Sequence, residues 1–75
     1  MVKKILNAKG LKCPIPVLKA EKMLKKLKTG DILEVLTTDP KAIRDFQAFC
    51  EVNNCLFQSS DKKKGVIKVS ICKSL

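Results

Sequence analysis

The fold is decided by residues 5–28, which read ILNAKGLKCPIPVLKAEKMLKKLK. The stretch opens with a short apolar run that ends at Gly10, a pattern typical of a β-strand followed by a turn. From Pro14 to about Lys28, apolar residues recur at spacings of three and four, which predicts an amphipathic helix. Pro14 suits the first helical position, and Gly30 is placed to close the helix. The apolar positions of this helix are Val17, Ala20, Met23, Leu24 and Leu27.

A second helix is predicted after the next strand. Asp31 to Thr37 is short and rich in apolar residues, as a central strand would be. Asp39 is a good N-cap and Pro40 a good first helical residue, and Asn53-Asn54 ends the helix. The predicted apolar face of this second helix contains Ala42, Ile43, Phe46, Phe49 and Cys50.

Two more strands complete the chain. Leu56 to Ser59 and Val66 to Cys72 both read as strands, the second by its alternation of apolar and polar residues. Asp61 to Gly65 is the predicted hairpin turn. The order βαβαββ predicts an α+β fold, a two-layer α/β sandwich with a mixed four-stranded sheet and both helices on one face. We expect a single domain over residues 1–75, with too small a core for an enclosed cofactor pocket and no cofactor.

The chain is strongly basic. Sixteen Lys+Arg against seven Asp+Glu give a formal charge of +9, which favours an acidic partner. Nearly all the excess is lysine, whereas recognition of bases and phosphates relies on arginine, of which Arg44 is the only example. The chain has no apolar run of the roughly 20 residues that a membrane span requires. No export signal is visible, so we expect a cytoplasmic protein with free thiols.

Cys13 is the residue best placed for chemistry. It directly precedes the first helix, where unpaired backbone N–H groups and the helix dipole favour a thiolate over a thiol. Lys12 and Lys19 add positive potential. Pro14 and Pro16 lie in the first turn, where a missing N–H breaks no hydrogen bond and a fixed φ stiffens the mounting of the cysteine.

The other candidate residues have simpler explanations. Cys50 lies on the apolar face of the second helix, and Cys55 and Cys72 read as strand residues, so we expect all three to pack in the structure. The chain has no histidine and no CxxC, which argues against a zinc site and against a cysteine or serine hydrolase. Asp39 and Asp45 are supporting residues, since an N-cap explains the first and a solvated helix face the second.

Gly10-Leu11-Lys12-Cys13-Pro14-Ile15-Pro16 resembles GxxCPxP, the signature of the TusA/SirA-like sulfur-transfer proteins. The resemblance covers the whole chain and implies that Cys13 accepts sulfur as a persulfide from a donor protein, such as a cysteine desulfurase or rhodanese, and passes it to an acceptor protein. It leaves the pathway open, tRNA thiolation being one possibility. Asn7 departs from the acidic residue of many members. Further matching segments are Val17-Leu18-Lys19, Asp39-Pro40, Arg44-Asp45-Phe46 and Phe49-Cys50.

Sulfur carriage on Cys13 is therefore the leading hypothesis, with a sulfurtransferase-type chemistry. The alternative is a small basic module that binds RNA or an acidic protein, although the chain lacks a GxxG loop and a pair of stacking aromatic residues. A thiol-disulfide redox domain is the third hypothesis, and it lacks the CxxC motif.

Overall fold

A computed structural model describes residues 2–12, 15–53 and 55–74. In these ranges the chain follows the predicted order βαβαββ. Pro14, predicted as the first residue of the first helix and as a supporting site residue, and Asn54, predicted at the end of the second helix, lie outside the described residues. The strands are β1 (Lys3–Ala8), β2 (Ile32–Thr37), β3 (Cys55–Lys63) and β4 (Val66–Lys73), and the helices are α1 (Ile15–Leu24) and α2 (Ala42–Val52).

The strands form one mixed sheet in the order β1-β2-β4-β3. β1 pairs with β2 in parallel, whereas β4 is antiparallel to both β2 and β3. A parallel pair needs a crossover connection, which α1 supplies between β1 and β2. The predicted α+β class and mixed four-stranded sheet are confirmed.

The core lies between one face of the sheet and the two helices. Leu33 and Val35 of β2 stand opposite Ile71 and Val69 of β4, and all four side chains are fully buried. Because successive strand residues point to opposite faces, these alternate positions define the covered face. The helices contact each other and add to the same cluster Ala20, Leu24, Ala42, Phe46, Phe49 and Cys50.

α1 is shorter than the sequence predicts. It ends at Leu24 and not near Lys28, and the chain continues in tighter turns in which Leu27 N–H donates to Leu24 C=O (3.1 Å). The physical reason is a side chain from β4: Lys73 Nζ donates to the carbonyl oxygens of Leu24 (2.8 Å) and Leu27 (2.7 Å). Gly30, with φ +94°, lies beyond these turns, and its N–H donates to Lys73 C=O (2.7 Å).

α2 starts later than predicted. Its N-cap position is Lys41 and its first residue is Ala42, so Asp39 and Pro40 form a turn before the helix. The Asp39 carboxylate accepts a hydrogen bond from Lys41 N–H (2.9 Å), and Asp39 C=O accepts one from Ala42 N–H (3.0 Å). The predicted end at Asn53 is confirmed: its backbone N–H and its side-chain amide both donate to Phe49 C=O, each at 3.0 Å.

The hairpin of β3 and β4 is longer than predicted. β3 extends to Lys63, because Asp61, a predicted turn residue, pairs with Lys68 in the ladder. The turn is reduced to Lys64 and Gly65, both with positive φ, at 50° and 80°. Positive φ at both central residues is the geometry that a two-residue hairpin requires, so cross-strand pairing outweighs the low strand propensity of the charged residues.

Candidate functional site

Cys13, the predicted sulfur-bearing residue, lies outside the described residues, but the structure describes both of its flanks. On one side is Lys12, an exposed residue at the end of the β1–α1 loop. On the other is Ile15, the first residue of α1. Ile15 N–H donates to Lys12 C=O (2.9 Å), so a backbone hydrogen bond joins the two flanks directly.

The β1–α1 loop is attached to the β2–α2 loop. Gly10 N–H donates to Thr38 Oγ1 (3.0 Å), and Leu11 N–H returns to Ala8 C=O (3.2 Å). Gly10 adopts φ +81°, a conformation that costs glycine nothing and other residues a great deal. Because β1 and β2 are parallel, both loops leave the sheet at the same end of these strands. The hydrogen bond between Gly10 and Thr38 holds the two loops together there.

Between the two loops is a surface cleft of about 420 Å³. Its side-chain polar groups come from two lysines, one threonine hydroxyl and one carboxylate, and the carboxylate of Asp39 is oriented by the backbone N–H of Lys41. The cleft therefore combines positive charge with fixed hydrogen-bond geometry beside the flank of Cys13. Its lining residues are Gly10, Leu11, Lys12, Thr38, Asp39, Pro40 and Lys41.

The predicted supporting residues fall into two groups. Gly10, Lys12 and Asp39 meet at the cleft. Pro16, the second residue of α1, is buried and does not belong to an exposed surface. Lys19 is exposed on α1, and Asp45 is half-buried in the first turn of α2; neither lines the cleft.

Sequence reasoning missed two kinds of residue at this end of the molecule. Thr38 and Lys41 join the cleft through a loop contact between segments 28 residues apart, which local patterns do not reveal. Ile15 and Leu18 are 43% and 52% exposed, although α1 is otherwise amphipathic. These two residues are three positions apart and lie near Lys19 and Lys22 in the sequence. This spacing could have predicted a helix face that is both apolar and basic.

The other three cysteines have different surroundings. Cys50 and Cys55 are buried, as predicted, and burial raises the pKa of both thiols, so they stay protonated near neutral pH. Cys72 is half-buried, and its Sγ is 3.7 Å from Lys73 C=O. The buried thiols of Cys50 and Cys55 therefore lack the exposure that favours a nucleophilic thiolate.

Asn7, the departure from the family pattern, has a local role. Its side-chain oxygen accepts a hydrogen bond from Lys9 N–H (3.1 Å) at the end of β1. An amide oxygen can accept this hydrogen bond as a carboxylate oxygen would, but without a negative charge.

The described ranges contain neither a cluster of metal ligands nor a membrane-spanning helix. Across residues 2–12, 15–53 and 55–74, no three or more His, Cys, Asp or Glu side chains group together as metal ligands. In the same part of the chain no helix has the length and apolar character needed to cross a membrane.

The fold and the cleft define a class: a small α/β sandwich with a basic cleft between its β1–α1 and β2–α2 loops. Comparison with known proteins identifies the family. The family model for the sulfurtransferase TusA matches residues 4–73. The chain belongs to this family.

Individual relatives agree with this assignment. The sulfur carrier protein TusA of Allochromatium vinosum is 41% identical over 58 residues, 76% of each chain. A relative from Neisseria meningitidis is 39% identical over 66 residues, 88% of this chain and 89% of the relative. The crystal structure of a SirA-like protein from Desulfitobacterium hafniense superimposes with a TM-score of 0.83 at 30% identity, covering 96% of this chain and 99% of that one.

The family supports a sulfur-relay carrier function for this chain. It confirms the resemblance found in the sequence, and the sandwich fold agrees with the SirA-like structure. Neither the comparisons nor the described residues support the RNA-binding alternative.

Proposed function

We propose that this protein carries sulfur between two partner proteins as a persulfide on Cys13. The observation that carries the proposal is the family match over residues 4–73, a range that includes the CPxP segment. The cleft at the flank of Cys13 supports it, because it offers a basic and accessible surface where a persulfide can be exchanged.

The transfer consists of two thiol exchanges. In the first, the Cys13 thiolate attacks the outer sulfur of a donor persulfide, a new S–S bond forms, and the donor thiolate leaves. In the second, an acceptor thiolate attacks the outer sulfur now on Cys13, and the Cys13 thiolate is released. Each exchange moves one sulfur atom at the sulfane level, so neither needs an external oxidant or reductant.

The residues around Cys13 would assist these steps in different ways. The ammonium group of Lys12 lowers the cost of a thiolate or persulfide anion, because opposite charge favours the ionised form. The hydrogen bond between Ile15 and Lys12 holds the flanks in place. Buried Pro16 fixes the start of α1, so the cysteine is presented from a rigid support.

The exposed face of α1 is our candidate for docking both partners. This face starts at the first residue of α1 and combines exposed apolar area with positive charge. It consists of Ile15, Leu18, Lys19 and Lys22. Such a face fits a partner with an apolar patch and an acidic rim. We propose a cysteine desulfurase or rhodanese as donor, a second sulfur-transfer protein as acceptor, and the cytoplasm as the location.

The proposal is tested by incubating the protein with a cysteine desulfurase and cysteine and measuring intact mass. We expect a gain of one sulfur atom that dithiothreitol removes. Trypsin separates the cysteines, because Cys13 falls in peptide 13–19, Cys50 and Cys55 in peptide 45–62, and Cys72 in peptide 69–73. The added sulfur should appear on peptide 13–19.

Two variants make the test specific. Cys13→Ser should gain no sulfur, and the control Cys72→Ser, which removes a half-buried thiol, should gain as much as the wild type. Equal sulfur gain by Cys13→Ser and the wild type would overturn the proposal.

A further inference from the structure

Cys50 and Cys55 form a contact that the proposed transfer chemistry does not use. Cys50 lies in the last part of α2, and Cys55 is the first residue of β3. Their Sγ atoms are 3.0 Å apart, and both thiols are free. A disulfide has an S–S distance of about 2.05 Å, so the two sulfur atoms need to approach by only about 1 Å to bond.

The backbone on both sides of this contact is held in place. α2 ends at Asn53, whose backbone and side-chain N–H groups both donate to Phe49 C=O. Cys55 is paired with Lys73 in the β3–β4 ladder. With each cysteine on a hydrogen-bonded element, the two sulfur atoms stay close together, which gives each thiol a high effective concentration for the other.

The pair is buried but within reach of small molecules. Cys50 and Cys55 keep 7% and 6% of their surface exposed. Both line one surface cleft of about 360 Å³, and Cys55 also lines a second cleft beside Leu24 and Phe49. A small oxidant such as hydrogen peroxide can therefore reach the sulfur atoms through these clefts.

We propose that Cys50 and Cys55 are a redox pair that hydrogen peroxide converts into an intramolecular disulfide between the end of α2 and the start of β3. In the first step the Cys55 sulfur attacks one oxygen of the peroxide, the O–O bond breaks, and a sulfenic acid and water form. In the second step the Cys50 sulfur attacks the Cys55 sulfur, the S–O bond breaks, and a second water leaves with the Cys50 proton. In total two thiols lose two electrons and two protons, and one peroxide becomes two waters.

The protonation of the pair indicates which thiol reacts first and how fast. Burial raises the pKa of both thiols, which keeps the thiolate fraction small and makes the first step slow. At Cys55 the hydrogen bond with Cys50 offsets part of the rise, because it stabilises a Cys55 thiolate. Once Cys55 is a sulfenic acid, closure by the adjacent Cys50 is fast. The disulfide therefore forms under sustained oxidation and not on brief exposure.

The disulfide would lie far from the transfer site. Cys55 pairs with Lys73 next to the start of β2, whereas the cleft beside Cys13 opens at the other end of β2. Six residues of strand, about 17 Å, separate the two ends. Formation of this disulfide should therefore stabilise the fold at the end of the sheet away from the cleft.

The test treats the wild-type protein with hydrogen peroxide, removes it with catalase, alkylates under denaturing conditions and digests with trypsin. Both cysteines of the pair fall in peptide 45–62. We expect that peptide 45–62 is not alkylated and that its mass is lower than that of its dithiol form by two hydrogen atoms. Peptide 69–73 should remain alkylated at Cys72. Dithiothreitol before alkylation should restore two alkylated cysteines in peptide 45–62.

A thermal melt adds a second measurement. A disulfide between Cys50 and Cys55 closes a short loop and restricts the unfolded chain. It should raise Tm on the order of 10 °C in a domain of 75 residues. Cys55→Ala should lose both the mass change and the peroxide-dependent rise in Tm, whereas the control Cys72→Ala should keep both. Peptide 45–62 that stays fully alkylated after prolonged peroxide, or that gains oxygen atoms without losing hydrogen, would overturn the proposal.

Discussion

The two ends of the sheet differ in how their polar groups are satisfied. At the end where β2 begins, which we call the anchored end, Asp31 and Lys73 bind backbone groups of other segments. At the end where β2 finishes, which we call the open end, Lys12 and Lys41 are exposed beside the cleft. At the open end, Lys12 and Lys41 are exposed and can contact a partner. At the anchored end, the charged groups of Asp31 and Lys73 form hydrogen bonds within the fold.

Asp31 shows how the anchored end works. Its carboxylate accepts hydrogen bonds from Val2 N–H (3.0 Å) and Lys28 N–H (2.9 Å), which join three segments of chain. These bonds lower the pKa of Asp31 because they stabilise the ionised form. A small fold can thus leave charged side chains exposed at one end of its sheet when part-buried hydrogen bonds join the segments at the other end.

The largest expected effect separates chemistry from stability. Cys13→Ser should abolish persulfide loading with little change in Tm, because a hydroxyl cannot carry transferable sulfur. Cys50→Ser should keep loading but lose about 1–3 kcal/mol of unfolding free energy, because Cys50 Sγ is buried and accepts a hydrogen bond from Cys55 Sγ, which is too weak a donor to satisfy a buried hydroxyl. Persulfide mass shifts and thermal melts on both variants check this. The comparison of the two ends fails if Cys50→Ser loses loading while remaining fully stable.

The next effect concerns Lys73 at the anchored end. Lys73→Met removes the donor to the carbonyls of Leu24 and Leu27, so we expect a loss of about 1.5–3 kcal/mol, measured by urea denaturation. Lys26→Met, an exposed lysine just after α1, is the control and should change stability by less than about 0.5 kcal/mol. Equal stability of the two variants would show that the Lys73 hydrogen bonds contribute little.

A smaller and pH-dependent effect is expected at Asp31. Because its folded pKa is lowered, the ionised carboxylate stabilises the fold above the ordinary aspartate pKa of about 3.9, and this stabilisation is lost as pH falls through the folded pKa. Asp31→Asn should therefore lower Tm at neutral pH, and its difference from the wild type should shrink below about pH 4. A difference that stays constant from pH 7 to pH 3 would contradict the role assigned to the charge.

The smallest effect tests the open end. Lys19→Glu or Lys22→Glu should slow sulfur transfer from the donor by roughly two- to tenfold at low salt with almost no change in Tm, because an exposed charge steers association. Added salt should reduce the difference from the wild type. The same rate in wild type and variants at low salt would remove this face of α1 from the docking surface.

The sequence was sufficient for the features that depend on local pattern. Alternation in Val66 to Cys72 identified β4, three- and four-residue spacing identified the buried faces of both helices, and the GxxCPxP segment identified the family. Gly10, Lys12 and Asp39, which the sequence selects for different reasons, line one cleft, and their part in a site stays a prediction. The role of Cys13 itself stays a prediction.

The features that the sequence did not reveal depend on contacts between distant segments. Lys73 ends α1 from 49 residues away, so no helix-stop signal near Lys28 could have placed the end at Leu24. Cys50 and Cys55 were each interpreted as packing residues, which is correct, but their mutual contact depends on how α2 leads into β3. The predicted β3 is too short because the charged residues at its end are poor strand formers. In the structure they stay in the strand because they pair with residues of β4.

The two-residue turn at Lys64 and Gly65 also sets the order in which the sheet can assemble. β3 and β4 need only this turn to meet, so the hairpin can form within about 1–10 μs. β1 and β2 are separated by α1 and its loops, so their pairing closes a longer stretch of chain, and β1 adds the edge strand on the side of the sheet away from β3. Folding should therefore proceed from the C-terminal hairpin towards the strand that leads to Cys13, and amide hydrogens of β1 should exchange faster than those of β4.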